Sequence, residues 1–283
     1  MSWATELTAD GSPTLVRPTD GVRMHSADGA WTQACLRYAA GVFVAGRLPR
    51  GRPFRLLDVG LGSGLNLAAA LAWLEPHGVG LEAVSLELDP EGPRTALGWG
   101  SFDQVAPLAE PVCGPRLPDW RSWHGQVRAA VGALLGPETG PDRVPLGRFG
   151  GHLSLLMGDA CDKLPQLAAA EPFDGVFLDP FAPAQEPELW QPAFARDLAR
   201  VMGPEARLVT YSSSLTVRTS LAAAGLRVGC APRVGGKAQG TMACCGDPAQ
   251  PWKALEPRVQ AKLRRRLERK IERTARGEGG ITD

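Results

Sequence analysis

Short apolar runs rich in β-branched residues alternate along this chain with longer stretches of helix-forming residues. This alternation is typical of repeated βα units around a mostly parallel sheet. The predicted strands are residues 55–60, 83–88, 153–157, 175–179, 207–211, 226–230 and 241–245. The stretch LNLAAALAWLE predicts a helix between the first two strands, and a second helix is predicted from about 189 to 201, ended by Gly203 and Pro204. We therefore predict an α/β fold with a doubly wound, Rossmann-like, mostly parallel seven-stranded sheet.

The segments around these units differ in composition. We expect residues 1–50 to form an N-terminal extension that packs on the active-site side, and residues 51–250 to form the main domain. Within it, the stretch from about 100 to 150 is rich in glycine and proline, which we interpret as a helical insertion because structureless loops of this length are uncommon. Such an insertion either shapes a substrate pocket or merely caps the sheet. Residues 251–283 are predicted to form a basic C-terminal helix or tail.

Cysteine content and the N-terminal sequence restrict the class of protein. The six cysteines include no C-x-x-C pair and no regular spacing, so we expect reduced thiols and no metal site. The N-terminus lacks the basic and apolar regions of a signal peptide, and no apolar stretch approaches the roughly 20 residues that span a bilayer. We therefore expect a cytoplasmic protein without a membrane partner. The net charge of +1 does not by itself indicate a polyanionic partner.

The most specific motif is RLLDVGLGSGLN, in which a strand ends at Asp58 and three glycines follow at alternate positions. Gly60, Gly62 and Gly64 allow a sharp turn and let a ligand approach the backbone where a Cβ atom would clash. Asn66 follows at the start of the next helix. A glycine-rich turn without function is the alternative, but the position between a strand and a helix favours a cofactor site.

Two further acidic residues follow neighbouring strands. Glu87 lies near the end of the second strand, where a carboxylate can accept hydrogen bonds from both ribose hydroxyls of a bound nucleotide. Asp159 follows the third strand, where it can meet an adenine amino group or simply cap a helix. The glycine spacing is G-x-G-x-G and not the G-x-G-x-x-G of dinucleotide enzymes. Together these residues predict a site for S-adenosyl-L-methionine, and hence a methyltransferase.

Asp179 ends the fourth predicted strand and precedes an aromatic, proline-rich turn. An amine attacks a sulfonium methyl group only through a neutral lone pair, so a nearby carboxylate can orient the amine and take its proton. The alternative is a turn cap before Pro180, a position that suits aspartate. We interpret Asp179 as the candidate catalytic residue.

Several blocks of the sequence resemble one known family. The blocks are DGSPTL, HSADGAW, DVGLGSGLN, LELDP, GDACDKLPQL, LDPFAPAQEPELW, TYSSSLTVRTSLAAAGLRV and GGKAQGTMA. They occur in family order over roughly residues 9–246, and the combination of GLGSGLN with LDPFAP and PELW is specific. On these residues the chain resembles the methyltransferase domain of the tRNA 5-methylaminomethyl-2-thiouridine biosynthesis proteins, the MnmC family and its stand-alone form MnmD.

The resemblance implies methyl transfer to the 5-aminomethyl group of a modified wobble uridine, which makes the anticodon loop of tRNA the expected partner. It places Asp179 nearest the amine and the glycines, Glu87 and Asp159 around the cofactor. It also implies that His25, Phe181, Trp190 and Lys237 lie on the substrate side. The two aromatic rings can stack on a base splayed from the loop or can serve in core packing.

The chain departs from the family pattern at several positions. Gln33 stands where the family usually has Glu, and Gln185 and Glu186 stand where it usually has Lys and Asn. Ala238 and Gln239 reduce the number of basic residues after Lys237, and this loss of positive charge weakens phosphate contacts. A shifted substrate would explain these changes. The bifunctional relatives carry a flavin-dependent oxidase domain, and only some 40 residues follow Cys245 here, so we expect methylation alone, with a separate oxidase or other pathway enzymes as partners.

The C-terminal tail is strongly basic. Residues 258–276 carry nine Lys or Arg residues but only two acids, Glu268 and Glu272. Apolar residues recur at four-residue intervals, which predicts one helix with a narrow apolar stripe and a broad cationic face. That helix is either a solvated surface element or a phosphate-binding element for tRNA. Membrane binding is disfavoured because the stripe lacks Trp and Phe.

Two rival functions belong to other classes. An enzyme that methylates or aminopropylates a small amine, similar to spermidine synthase, would share the glycine turn and the aspartate after the fourth strand. A degenerate family member that binds RNA without catalysis would not need intact acids and glycines. Labelling of bulk tRNA or of a polyamine from S-adenosyl-L-methionine separates the enzymatic alternatives.

Overall fold

A computed structural model describes residues 3–104, 117–136, 141–235, 239–248 and 251–275. Eleven strands occur within these residues. They are β1 (Ala4–Leu7), β2 (Pro13–Val16), β3 (Phe54–Val59), β4 (Leu81–Glu87), β5 (Val144–Leu146), β6 (Gly151–Met157), β7 (Phe173–Leu178), β8 (Met202–Thr210), β9 (Arg227–Cys230), β10 (Thr241–Cys244) and β11 (Lys253–Ala254). Strands β1 and β2 form a separate antiparallel hairpin, and the others form one sheet.

The central sheet has the order β11-β9-β10-β8-β7-β3-β4-β6-β5. The five neighbouring strands β8, β7, β3, β4 and β6 are mutually parallel. Strand β10 runs antiparallel to β8 and β9, and the edge strands β5 and β11 are also antiparallel to their neighbours. The prediction of a mostly parallel, Rossmann-like sheet is confirmed.

The seven predicted strands correspond to β3, β4 and β6 to β10. The sheet has nine strands and not seven, because β5 and β11 extend its two edges. These edge strands have only three and two residues. Strands this short bury little apolar surface, so they leave no hydrophobic run in the sequence. The N-terminal hairpin was also not predicted, and its first strand is largely exposed.

Nine α-helices accompany the strands within the described residues. They are α1 (Ala30–Gln33), α2 (Ala40–Val42), α3 (Leu65–Leu74), α4 (Glu91–Leu97), α5 (Trp120–Leu134), α6 (Ala160–Lys163), α7 (Pro192–Val201), α8 (Leu215–Ala223) and α9 (Pro257–Ala275). A π-helical turn, Ala34–Ala39, joins α1 to α2. Helix α3 is buried on nearly all sides, which explains its uniform Ala and Leu content.

Helix α7 starts three residues later than predicted and ends at Val201, as predicted. Gly203 and Pro204 do not lie beyond the secondary structure, because the chain continues directly into β8. The register of β8 against β7 shifts where these residues occur, since Phe173 pairs with Met202 and Gly175 pairs with Arg207. A proline is tolerated there because an irregular stretch of the strand makes no demand on its missing N–H group.

Helices cover both faces of the sheet. Successive residues of β3 point to opposite faces, so Leu56 joins one hydrophobic core and Leu57 joins the other. The first core contains α1 to α3 and α5, and the second contains α7 and α8. Both leucines are fully buried. Strands that are buried on both faces are the reason for the continuous apolar runs in the sequence.

The stretch predicted as a helical insertion contains α5, with residues 105–116 and 137–140 outside the described part. Helix α5 packs against α3 and α4. Its buried His124 lies 2.7 Å, through Nε2, from the Ser63 carbonyl oxygen in the glycine turn. The described residues 117–136 do not line the large cavity at the strand ends, so α5 supports the turn from behind.

No helix within the described ranges is long and apolar enough to cross a membrane. The cysteines described there, Cys35, Cys161, Cys230, Cys244 and Cys245, are free thiols. Cys113 lies outside the described residues.

Candidate active site

A cavity of about 860 Å³ opens at the carboxyl ends of β3, β4, β6 and β7. This edge is where open α/β sheets bind ligands, because the chain reverses its winding there. Of the catalytic, cofactor and substrate residues predicted from the sequence, those on the cavity wall are His25, Gly60, Gly62, Asn66, Glu87, Asp159, Asp179 and Phe181. The cavity therefore brings together residues that are up to 156 positions apart in the sequence.

The glycine turn forms the floor of the cavity. Gly60 and Gly62 have φ angles of 89° and 52°, in the region that residues with a side chain rarely adopt. A Cβ atom on Gly60 would lie 2.9 Å from the Asp179 carbonyl oxygen, and one on Gly62 would lie 2.9 Å from Met24 Sδ. Glycine is thus favoured by backbone conformation at both positions, and at Gly60 a side chain is also excluded by the fixed backbone of Asp179.

Glu87 links the glycine turn to the end of β4. Its Oε2 accepts a hydrogen bond from the Gly62 N–H at 2.8 Å, and its Oε1 accepts one from the Asp89 N–H at 3.0 Å. Burial raises the pKa of Glu87, although these backbone N–H groups oppose the rise. The carboxylate is held in one orientation, with further lone pairs available to a ligand in the cavity.

Asp159 caps a helix and also lines the cavity. Its Oδ1 accepts a hydrogen bond from the Cys161 N–H at 2.8 Å, so it caps the amino end of α6. The same exposed side chain also lines the cavity. The hydrogen bond that caps α6 therefore holds the Asp159 side chain beside the cavity.

Asp179 follows β7 directly, and its N–H group donates to the Val59 carbonyl oxygen at 3.0 Å. The two carboxylate oxygens have different donors: Tyr38 Oη donates to Oδ1, and Asn66 Nδ2 donates to Oδ2 at 2.8 Å. Burial raises the pKa of Asp179 to about 7, while Tyr38, Asn66 and the Arg37 guanidinium oppose the rise. Burial also raises the pKa of Tyr38 well above its usual value, so its hydroxyl stays a donor.

The N-terminal segment forms one wall of the cavity through Trp3, Arg17, Met24 and His25. The rings of Trp3 and Phe181 stack at a centroid distance of 6.1 Å, and the Arg17 guanidinium lies 4.3 Å from the Phe181 centroid. Trp3 Nε1 also donates to Asp89 Oδ2 at 3.0 Å. Burial lowers the pKa of His25 to about 4, so its imidazole is neutral near pH 7.

Some residues singled out from the sequence lie away from the cavity wall. Asp58 is buried behind the glycine turn, where its Oδ2 accepts from Ser85 Oγ at 2.9 Å. Gly64 starts α3 with a φ of 79° and faces α5, since a Cβ atom there would lie 2.9 Å from Val127 Cγ1. Both residues shape the turn from behind.

Trp190 is also displaced from the wall. It is 4% exposed and belongs to the second hydrophobic core, where its Nε1 donates to the Phe181 carbonyl oxygen at 2.8 Å. It therefore packs in the core and fixes the backbone of Phe181, whereas Phe181 itself lies on the cavity wall. Lys237 falls outside the described residues.

Comparison with known proteins identifies the domain. A family described as S-adenosyl-L-methionine-dependent methyltransferase matches residues 123–245. The tRNA 5-methylaminomethyl-2-thiouridine biosynthesis bifunctional protein MnmC of Ralstonia nicotianae is 34% identical over 242 residues, which are 84% of this chain and 34% of that protein. The protein of the same name from Cupriavidus necator is 36% identical over 248 residues, 84% of this chain and 33% of its own length.

A solved structure agrees with these relatives. The crystal structure of MNMC2 from Aquifex aeolicus has a TM-score of 0.70 and 29% identity, over 93% of this chain and 76% of that one. The chain has an MnmC-like methyltransferase domain. It spans about a third of the length of the two MnmC relatives.

The MnmC-like domain is a class I methyltransferase, and its cofactor is S-adenosyl-L-methionine. The residues present fit this cofactor. The two glycines keep the turn free of Cβ atoms, and Glu87 presents a fixed carboxylate for ribose hydroxyls. Asn66 Oδ1 is buried without a hydrogen-bond partner in the described part of the chain. The acidic lining, which includes Asp159 and Asp179, favours a cationic sulfonium.

Three side chains around Asp179 were missed by sequence reasoning, as were Trp3, Arg17 and Met24 on the cavity wall. Tyr38 bonds Asp179, Arg37 lines the cavity beside it, and Tyr211 Oη donates to the Pro180 carbonyl oxygen at 3.1 Å. The chain has only two tyrosines, and both lie around Asp179. The small number of tyrosines was the available signal that these residues have a special role. No local pattern in the sequence, however, indicates that Tyr38 lies beside a residue 141 positions away.

Proposed function

We propose that this chain transfers a methyl group from S-adenosyl-L-methionine to the 5-aminomethyl group of a wobble uridine in tRNA. The observation that carries the proposal is the Asp179 carboxylate, held by Tyr38 and Asn66 at the cavity end of β7. Its pKa of about 7 makes it a stronger base than an ordinary aspartate. A stronger base is what an amine acceptor needs, because an alkylammonium must lose a proton before it can react.

When bound, S-adenosyl-L-methionine supplies an electrophilic methyl group on a sulfonium. Asp179 orients the acceptor amine and takes one of its protons, so that the nitrogen lone pair is free to attack. Tyr38 and Asn66 each donate to one carboxylate oxygen. These two hydrogen bonds fix the orientation of the carboxylate, so the second lone pair of each oxygen points in a fixed direction. Glu87 and Asp159 bind the ribose and adenine of the cofactor, and the Gly60 and Gly62 turn lies against it.

Other residues of the cavity wall would contact the substrate. Phe181 contributes its ring to the wall that a flipped base would meet, together with Trp3, which stacks on that ring, and the Arg17 guanidinium, which packs over it. His25, which is neutral, supplies a polar edge without adding positive charge beside the amine. Trp190 acts indirectly, by holding the Phe181 backbone. Lys237, which lies outside the described residues, is assigned to substrate binding by the family resemblance alone.

The test measures which molecule accepts the methyl group. The purified chain is incubated with methyl-labelled S-adenosyl-L-methionine and with tRNA from cells that lack this gene, and the digested nucleosides are identified by mass spectrometry. We expect label in 5-methylaminomethyl uridine and loss of the 5-aminomethyl precursor. A parallel reaction with polyamines and no RNA provides the control. Label in the polyamine with none in tRNA would refute the proposal and assign a small-amine enzyme.

A further inference from the structure

Helix α9 packs against α8 and leaves a cleft of about 450 Å³ between them. The cleft is lined by Leu215 and by four basic residues of α9, Lys262, Arg265, Arg266 and Arg269. Their spacing of three, one and three residues puts all four on one face of the helix. The apolar stripe of α9 lies on the adjoining face, where Val259, Leu263 and Leu267 are half-buried.

The cationic face of α9 has no ion-pair partner among the described residues. In the portion of the chain that the structure describes, no ion pair joins any of the four basic residues to a carboxylate. Arg269 Nε donates to the Arg265 carbonyl oxygen at 3.2 Å, which leaves its terminal nitrogens for another acceptor. Four clustered cations without counterions repel each other, so an anionic ligand would stabilise this arrangement.

The cleft adjoins the active-site cavity. Ser212, Ser213 and Ser214 line the cavity, and the next residue, Leu215, lines the cleft. Consecutive Cα atoms are about 3.8 Å apart, so the two spaces have neighbouring lining residues at the start of α8. A chain of phosphates lying in the cleft would therefore reach the rim of the cavity.

The cavity itself is poorly suited to phosphates, because its acidic residues outnumber its three arginines. The acids are Glu87, Asp89, Asp159, Asp179, Glu186 and Glu188, and the arginines are Arg17, Arg23 and Arg37. A polyanionic substrate of this site needs its attraction from elsewhere on the surface. From these observations we propose that the cleft between α8 and α9 binds the phosphate backbone of the tRNA substrate and holds it against the cavity rim. This inference rests on the proposed function, since it takes tRNA as the acceptor.

A membrane surface fits the cleft less well than a nucleic acid. The apolar stripe of α9 is half-buried at Val259, Leu263 and Leu267, so these side chains are not free to enter a bilayer. Four basic side chains along a helix match a row of phosphates, which nucleic acid provides at regular spacing.

The test compares two double variants with equal charge change. Arg265→Gln with Arg269→Gln removes two cations from the cleft. Arg264→Gln with Arg143→Gln is the matched control, because Arg264 lies on the opposite side of α9 and Arg143 precedes the edge strand β5, at the far end of the sheet from β9. All four arginines lie outside the active-site cavity. Binding of bulk tRNA is measured by filter retention at several KCl concentrations.

We expect the cleft variant to bind tRNA about tenfold more weakly at 0.15 M KCl. The slope of log affinity against log salt should also be smaller by about 1.5, because each of the two lost phosphate contacts contributes roughly 0.7 to 0.9. The control should keep the wild-type slope. In methyl transfer, the KM for tRNA should rise about tenfold in the cleft variant while kcat at saturating tRNA is unchanged. Equal thermal shifts with S-adenosylhomocysteine show that both variants are folded.

The outcomes separate this inference from the proposed function. If tRNA is methylated and the cleft variant keeps the wild-type slope and KM, the cleft does not bind the substrate and the inference is overturned. If tRNA is not methylated but the cleft variant alone loses slope, the cleft is an RNA surface and the proposed reaction is wrong. Binding to phosphatidylserine vesicles that the cleft variant loses, with an unchanged tRNA slope, would assign the cleft to a membrane and overturn the inference.

Discussion

At the scale of single residues, the site depends on one carboxylate in an unusual setting. Asp179 faces a cavity but is surrounded mostly by protein, and each of its oxygens has one fixed donor. Desolvation disfavours the charged form, whereas the donors favour it. Desolvation prevails, which raises the pKa of Asp179 to about 7. The group therefore changes its charge near neutral pH.

Replacing Asp179 by Ala should leave cofactor binding nearly intact and reduce methyl transfer by roughly a hundred- to ten-thousand-fold, the usual contribution of a positioned general base. Raising the pH should partly rescue this variant, because solution then supplies the neutral amine. The measurement is turnover of tRNA between pH 6 and 10. Asp162→Ala, which removes an exposed carboxylate of α6 away from the cavity, is the control. Near wild-type turnover of Asp179→Ala at pH 7 would show that Asp179 only caps a turn.

Replacing Tyr38 by Phe removes a hydrogen bond that favours the ionised form of Asp179. The pKa of Asp179 should rise further, so the acidic limb of the pH–rate profile should move to higher pH. A hydrogen bond to a charged group contributes about 1.5 kcal/mol or more, which corresponds to about one pH unit. Tyr211→Phe is the matched control, because the Tyr211 hydroxyl donates to the Pro180 carbonyl and not to Asp179. A limb that stays in place in Tyr38→Phe would exclude this positioning role.

At the scale of elements, we propose that the turn between β3 and α3 holds the cofactor. The turn is pressed between Met24 of the N-terminal segment, Asp179 after β7, and α5 behind it. Three different parts of the chain thus close on three glycines. The same crowding explains why the alternating glycines, and not their neighbours, carry the motif.

Gly62→Ala should weaken binding of S-adenosylhomocysteine, because its Cβ atom would displace the Met24 side chain, whose Sδ lies 2.9 Å away, and would enter the space beside the ligand in a backbone conformation that disfavours a side chain. Gly78→Ala is the matched control, since Gly78 has a φ of 70° and open space around its Cβ position. Both changes should cost about 1 kcal/mol of backbone strain. Calorimetry should show that the wild type and the Gly78→Ala control bind S-adenosylhomocysteine, and that neither binds NAD. Tight NAD binding without S-adenosylhomocysteine binding would contradict the site assignment.

At the scale of the whole molecule, the site reduces the stability of the fold that carries it. The folded chain holds a proton on Asp179 up to about pH 7, whereas an ordinary aspartate loses it near 3.8. The folded state therefore binds more protons than the unfolded state between these values. The stability contributed by this group is fully present below the unfolded pKa and is lost as pH rises through the folded pKa.

Asp179→Asn removes the titrating charge while keeping the shape of the side chain. Its stability relative to the wild type should increase between pH 4 and pH 7, by at most about 1.4 kcal/mol for each pH unit, with water in the cavity lowering the value. Thermal unfolding of both proteins at pH 5 and pH 8 checks this, with Asp162→Asn as the control. A stability difference that does not vary with pH would show that the Asp179 pKa is ordinary.

The sequence by itself determined the layer architecture and the cofactor half of the site. The buried strands and the buried helix α3 leave continuous apolar runs, and each cofactor residue sits at a fixed offset from the end of its own strand. Such features are local, so periodicity and glycine spacing reveal them. The edge strands β5 and β11 were missed because two or three residues bury too little surface to leave a pattern.

Only the tertiary structure decided the acceptor half. The donors to Asp179, the stacking of Trp3 on Phe181 and the cleft between Leu215 and α9 all join residues that are distant in sequence. The burial of Trp190 likewise depends on the fold. The same chemical types can pack in a core or face a ligand, and the choice depends on what the folded chain places beside them. Burial by the whole fold, rather than any neighbour in sequence, is also what moves the pKa of Asp179 towards neutrality.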